Sequence, residues 1–255
     1  MAPIAVAATA PFGADVLERL AAEHEVVQLL TRPDAPRGRG RKLAPSPAKE
    51  TAERLGIPVV HERDELAAGT VVVCAYGLLI PESLLSRALW LNVHPSLLPR
   101  WRGAAPVERA IMAGDTTTGV TIHQTTKALD AGPIAAQEAF AIGPEDDAGV
   151  VYARAAEVAA RLLDGVLEHP VFTPQPEADV TYAEKITAAD RELDPSRPAT
   201  ELVDRVRALS PHIGARLGDL VVWKARADGG AFVPVDVQPA GGRRMDYEAY
   251  LRGRR

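Results

Sequence analysis

Residues 4–30 read IAVAATAPFGADVLERLAAEHEVVQLL. Ile4 to Ala8 is an unbroken apolar run too short for a helix, which is how a strand covered on both faces reads. Val16, Leu17, Leu20 and Ala21 then fall at helical spacing, and Val26 to Leu30 is a second strand-like run. A strand, a helix and a strand in that order predict two parallel strands joined by a right-handed crossover. Outward from there the pattern repeats: Ala48 to Leu55 and Glu82 to Ser86 read as helices, Val71 to Ala75 and Leu89 to Val93 as strands. The N-terminal part is therefore expected to be α/β, with a mostly parallel sheet covered on both faces.

Asp147 to Glu168 is a long helix candidate whose apolar stripe is Val150, Val151, Ala155, Val158, Ala159, Leu162, Leu163 and Val166. It stops before Pro170, and the following HPVFTPQPEAD carries three prolines with neither helical nor alternating periodicity. These features place a first domain over 1–170, a linker over 171–180 and a second domain over 181–255. In the second, Leu202, Val206 and Leu209 suggest a helix, and LGDLVVWKA suggests a strand pair.

Composition narrows the class. Of 255 residues, 47% are hydrophobic and 25% charged, which is globular usage and excludes a disordered or fibrous chain. Cys74 is the only cysteine, so an internal disulfide and a cysteine-only metal cage are excluded. The opening MAPIAVAATA lacks the basic flank of a signal peptide, and no run reaches the ~18 apolar residues of a spanning helix. A cytoplasmic protein without a membrane partner is expected. The net charge of −5 argues against a generally basic nucleic-acid binder but leaves local patches open.

One such patch exists. RPDAPRGRGRKLAPSPAK, residues 32–49, holds six basic residues against one acid, Asp34. It reads as a mobile cationic loop, which is either solvated surface or a contact for a phosphate-rich partner, where counterion release favours binding. The tail GRRMDYEAYLRGRR has the same character. The densest chemical signal is LNVHPSLLPRWRGAAP, residues 91–106. Asn92 and His94 sit on either side of Val93, so strand alternation points both to one face, at a strand end where α/β sheets bind ligands. A carboxamide donates to an oxygen gaining charge and an imidazole moves protons, although a strand-end Asn-x-His pair also has an ordinary structural reading. Leu97, Leu98 and Trp101 would rigidify the loop that follows, leaving Arg100 or Arg102 for an anion. In TTKALDAGPIAAQ, residues 125–137, Asp130 either forms a turn before Gly132 or orients His94 through its carboxylate.

RPDAPRGRGRKLAPSP, AYGLLIP, LNVHPSLLPRWRGAAP, TGVTIHQTTKALDAGPI, VTYAEKIT, VWKA and QPAGGRRM occur in that order over nearly the whole chain. In these pieces the sequence resembles the methionyl-tRNA formyltransferase family. The resemblance implies a Rossmann-like formyltransferase domain followed by a small, shortened OB-like β-barrel that helps hold tRNA. It implies transfer of a formyl group from the co-substrate 10-formyltetrahydrofolate to the amino group of methionine on initiator tRNA, with no metal in the chemical step; a monomer is expected. Asn92, His94 and Asp130 match the catalytic residues. By the resemblance, Asn92 and a protonated His94 stabilise the oxyanion, and Asp130 orients His94 and assists proton movement. Ser96, Leu97, Leu98 and Pro99 match the folate loop, and Arg37, Arg39, Arg41 and Lys42 the basic loop that enters the acceptor stem.

The chain departs from the family in places. Pro95 stands where Gly is usual between the His and Ser, and ATAP replaces a glycine-bearing first loop. HERDELAAGTVVV leaves room for little of a usual helix, and VWKARADGGAFVPVDVQPAG omits several barrel segments. Pro195 and SPHIG replace an aromatic and an Asn-Pro-Trp-Pro run. Three rivals remain at this level: an N-formyltransferase for a nucleotide-linked amino sugar, a non-catalytic tRNA-binding relative, and formyl release from folate by water. The first has no use for RGRGRK, and the second none for all three catalytic residues.

Overall fold

The computed structural model describes residues 2–37, 40 and 42–253. β1 (Ile4–Ala8) and β2 (Val26–Leu30) flank α1 (Pro11–Glu23) and pair in parallel. Every residue of β1 is buried, which is why an unbroken apolar run suits it. Val16, Leu17 and Leu20 of α1 are buried as well, each stabilising the fold by roughly 1.5–3 kcal/mol. Gly13 is required where α1 meets the sheet, because a Cβ there would lie 2.4 Å from the Cys74 carbonyl oxygen.

A hairpin of β3 (Ala35–Arg37) and β4 (Lys42–Ala44) comes next, then α2 (Pro47–Leu55), β5 (Val59–Val60) and β6 (Thr70–Cys74). Ser46 caps α2 by accepting from the Lys49 amide, and Gly56 closes it at φ 71°. Between β5 and β6 the chain makes a single 3₁₀ turn at Arg63–Glu65, the shortening expected of HERDELAAGTVVV. α3 (Glu82–Leu85), β7 (Leu89–His94), β8 (Arg102–Gly103), α4 (Pro106–Met112), β9 (Thr117–Gln124), β10 (Ile134–Ala141) and α5 (Ala148–Glu168) follow. On α5 the expected stripe is buried at Val151, Ala155, Val158, Ala159, Leu163 and Val166, while Val150 is exposed.

The central sheet has the order β10-β9-β7-β6-β1-β2-β5. β5, β2, β1, β6 and β7 are parallel, and β9 joins β7 antiparallel. The chain moves outward from β1 to β5, then returns to β6 and β7 on the other side. Open α/β sheets bind ligands outside the carboxyl ends of the strands around such a reversal.

Beyond it come β11 (Tyr182–Ala183), α6 (Ala199–Leu209), β12 (Ala215–Leu217), β13 (Leu220–Asp228), β14 (Ala231–Pro239), β15 (Met245–Asp246) and α7 (Tyr247–Arg252). β12 to β15 form a four-stranded antiparallel sheet in sequence order. Its first two strands are the pair expected from LGDLVVWKA. Leu202, Val206 and Leu209 of α6 share a core with Leu220, Val222 and Val237 of this sheet.

By its contacts the chain forms two compact units, one of residues 1–102, 119–139 and 153–181, the other of 103–118, 140–152 and 182–255. The second takes in more than the C-terminal segment because α4 packs on α6, and Arg207 Nη1 donates to the Gly143 and Asp146 carbonyls at 3.0 and 2.7 Å. Residues 171–180, expected as a linker, belong to the first unit. Among the described residues no helix is long and apolar enough to cross a membrane.

Candidate active site

β7 runs parallel to β6, and its last residues, at the carboxyl end of the parallel strands, carry the candidate site. Asn92 and His94 share a face of the strand, and the antiparallel register sets Asn92 opposite His123 and His94 opposite Thr121 on β9. Directly opposed residues on one face are close enough for side chains to touch. Asn92 Nδ2 accordingly lies 3.1 Å from His123 Nε2, and it donates to Asp130 Oδ1 at 3.1 Å. Asp130 turns its other oxygen toward His94, with Oδ2 3.7 Å from Nδ1. Sequence reasoning paired Asn92, His94 and Asp130, and the structure brings all three together.

Asp130 holds this place at a conformational cost. Its φ is 46°, a left-handed backbone that costs a non-glycine residue on the order of 1 kcal/mol. Gln175 holds the turn by donating from Nε2 to the Asp130 and Gly132 carbonyls, both at 2.8 Å. Gly132 lets the loop fold back, because a Cβ there would sit 1.8 Å from the Gln124 oxygen. Gln175 lies in the segment expected to be a linker, so part of that segment supports the site. Arg102, one of two arginines expected to await an anion, donates to Gln175 Oε1 at 3.1 and 2.6 Å from its two nitrogens. The other, Arg100, lies over the Trp101 ring with its guanidinium carbon 4.5 Å from the centroid.

His94 is 4% exposed. Its Nε2–H donates to the Trp101 carbonyl at 2.8 Å, which leaves Nδ1 as the nitrogen able to receive a proton beside Asp130. Burial lowers the His94 pKa most, His123 lowers it further, and Asp130 with the Trp101 carbonyl offset only part of this, so the net shift is downward. The resting ring is therefore neutral at neutral pH. Burial disfavours the cation at rest, so the protonated His94 expected beside an oxyanion has to gain its proton during the reaction.

The loop after His94 is rigid for reasons beyond its leucines. Thr121 Oγ1 donates to the Ser96 carbonyl at 2.7 Å and accepts from the Leu98 amide at 3.1 Å, while Gln137 Nε2 donates to the Leu98 carbonyl at 3.0 Å. Pro95 fits because the Ser96 amide donates to the His94 carbonyl at 2.9 Å across it, a tight turn whose central φ proline already favours. Of the residues expected to meet folate, Ser96 spends its hydroxyl on the Arg100 carbonyl at 2.7 Å. Ser96, Leu98 and Pro99 are buried and Leu97 is half-buried.

The basic segment is a hairpin, with Ala35 paired to Ala44 and Arg37 to Lys42. The two short runs flanking its glycines satisfy their backbones on one another. Lys49 also has an acidic partner that sequence reading missed, Asp34 at 2.7 Å, and Arg32 donates to the Gly77 carbonyl. Lys42 is exposed. Arg39 and Arg41 lie outside the described residues. His123, Thr121, Gln137 and Gln175 are the supporting residues the sequence did not reveal: the β7–β9 register brings in the first two, β10 beside β9 the third, and the path of 171–181 the last.

The family model for formyl transferase matches residues 3–167, a span that contains Asn92, His94, His123 and Asp130. The chain belongs to the formyl transferase family. It is 46% identical to a methionyl-tRNA formyltransferase of Cereibacter sphaeroides over 80% of this chain and 73% of that one. Among solved structures, the methionyl-tRNA formyltransferase of Clostridium thermocellum superposes with a TM-score of 0.66 at 16% identity, covering 96% of this chain and 100% of that one. A Helicobacter canadensis N-formyltransferase in complex with folinic acid and dTDP-3-aminofucose gives 0.69 at 17% identity, covering 89% and 88%. At these identities the two structures establish the fold alone.

Proposed function

We propose that this formyl transferase moves the formyl group of 10-formyltetrahydrofolate to the amino group of methionine carried by initiator tRNA. The observation that carries the reading is the Asn92–His94–Asp130 cluster at the carboxyl end of β7, with His94 buried and the other two half-buried. 10-Formyltetrahydrofolate supplies an activated formyl carbon. The rest is done by side chains. His94 Nδ1, neutral at rest, takes the proton the attacking amine must shed. The Asp130 carboxylate stabilises the cation so formed, and the Trp101 carbonyl holds the ring through Nε2. Asn92 Nδ2 donates to the formyl oxygen as it gains negative charge. His94 then returns the proton to the departing nitrogen.

The folate fits on chemical grounds. Leu78 and Leu79, on the loop that follows the carboxyl end of β6, and Leu129, next to Asp130, are exposed apolar side chains, of a kind suited to a flat pteridine. Ser96, Leu97, Leu98 and Pro99 supply a rigid loop beside His94. For the tRNA, Arg37, Arg39, Arg41 and Lys42 gather cations at one hairpin of an acidic protein, and the sheet β12–β15 serves as a reduced OB-like module. A nucleotide-linked sugar gives that hairpin no task.

Incubating the protein with 10-formyltetrahydrofolate and, separately, methionyl initiator tRNA, methionyl elongator tRNA and a dTDP-linked amino sugar tests this directly. Formylation of the initiator tRNA well above the other two is expected. Turnover of the sugar alone would replace the reading with its rival.

A further inference from the structure

His123 is buried to 1% exposure beside the three proposed catalytic residues. Its Nδ1 lies 3.0 Å from the carbonyl oxygen of Gln124. A carbonyl only accepts, so Nδ1 carries the hydrogen in the neutral ring and Nε2 is left with its lone pair. That lone pair faces Asn92 Nδ2 at 3.1 Å, and Asp130 Oδ1 is 3.6 Å away. Asn92 is thus flanked by two acceptors.

We infer that His123 is a positioning residue that fixes the Asn92 carboxamide with its nitrogen, rather than its oxygen, on the side of the reacting group. A primary amide turned by 180° exchanges donor for acceptor. Turned that way, Asn92 Oδ1 would face the His123 lone pair and the Asp130 carboxylate, and it would repel the oxygen it is there to stabilise. The hydrogen now held by His123 is released to that oxygen in the reaction, because a charged acceptor outcompetes a neutral ring nitrogen. The backbone builds this arrangement in: Asn92 and His123 are directly opposed in the β7–β9 ladder, and Gln124 follows His123 in the same strand. The kinetic consequence rests on the proposed formyl transfer, whereas the tautomer does not.

Two measurements test it on the full chain. Long-range ¹H–¹⁵N spectra of the histidine rings should show His123 protonated on Nδ1, and an Nε2–H ring would overturn the inference with no substrate involved. In single-turnover formyl transfer, His123→Leu, which keeps the bulk and removes the acceptor, should slow the step roughly 10- to 100-fold with the KM of both substrates little changed. His123→Gln, whose side-chain oxygen reaches the Nε2 position, should recover most of that loss. Adding His123→Leu to Asn92→Ala should cost nothing further, since the pair acts as one unit. A wild-type rate in His123→Leu, a Gln variant no better than Leu, or an additive double variant would refute the positioning role. A wild type inert toward every amine offered would instead refute the proposed function.

Discussion

His94 serves as a base only while its ring is neutral, and the burial that lowers its pKa keeps it neutral at lower pH than an ordinary histidine. Single-turnover formyl transfer should therefore hold through neutral pH and fall as pH drops through a value below the usual ~6.5. The Asp130 charge raises that value. Asp130→Asn should thus move the acid limb further down while cutting the rate, and a limb that moved up would contradict the assignment. Folding is linked to pH with the same sign. The unfolded chain takes up a proton near ~6.5 and folded His94 only below that, so stability present above this value is lost as pH falls. His94→Gln should flatten that loss in denaturant titrations run between neutral and mildly acidic pH. His94→Ala and Asp130→Ala should each remove most turnover yet leave tRNA affinity nearly unchanged, as neither lies on the cationic hairpin.

At the scale of elements, β7 and the β3–β4 hairpin show what the sequence makes legible. Asn92 and His94 are readable as one face because alternation within a strand is a local rule. His123 is not, since its pairing with Asn92 depends on an antiparallel register between β7 and β9, whose paired residues lie some thirty positions apart. Gln175 is hidden for a similar reason: nothing local in a proline-rich segment says that it returns to hold Asp130. Charge is legible, but its pairing is not. Six basic residues can be counted along 32–49, whereas the ion pair of Lys49 with Asp34 needs α2 to bring them together. Among the described basic residues of this segment, Lys42 is exposed. Replacing Arg39, Arg41 and Lys42 together by Ala should weaken tRNA binding and flatten its salt dependence by roughly 0.7–0.9 in the log–log slope for each true phosphate contact. Folate affinity should be unchanged. An unaltered salt slope would reduce the hairpin to solvated surface.

For the whole molecule, the division into two units changes what a truncation can mean. A cut at 181 looks clean in the sequence, but it would split a unit that also contains 103–118 and 140–152. Within that unit Arg109 donates to Asp190 at 2.7 and 3.1 Å and to the Glu184 carbonyl at 3.0 Å, and the Arg109 guanidinium holds the Asp190 carboxyl well below the ordinary carboxylate range. Gly103 is pressed against the strand that would be lost, since a Cβ on it would lie 2.7 Å from the Ala183 carbonyl oxygen. Removing Thr181 to Arg255 would strand Arg109 and strip α4 of its packing on α6. The apolar residues that α4 buries, Val107, Ala110 and Ile111, would lose part of their cover. Loss of cooperative unfolding, or a fall of many degrees in Tm, is therefore expected of the truncated chain, and its tRNA affinity would report unfolding rather than contact. The role of the C-terminal sheet is better tested by charge. Arg243 and Arg244 lie on the turn before β15, and Arg244 is half exposed despite its 2.5 Å bond to Asp236. Arg243→Ala with Arg244→Ala should leave Tm within a degree or two and weaken tRNA binding in a salt-dependent way, without affecting folate. Equal tRNA affinity in this variant and the wild type, measured at low salt, would show that these two arginines make no tRNA contact.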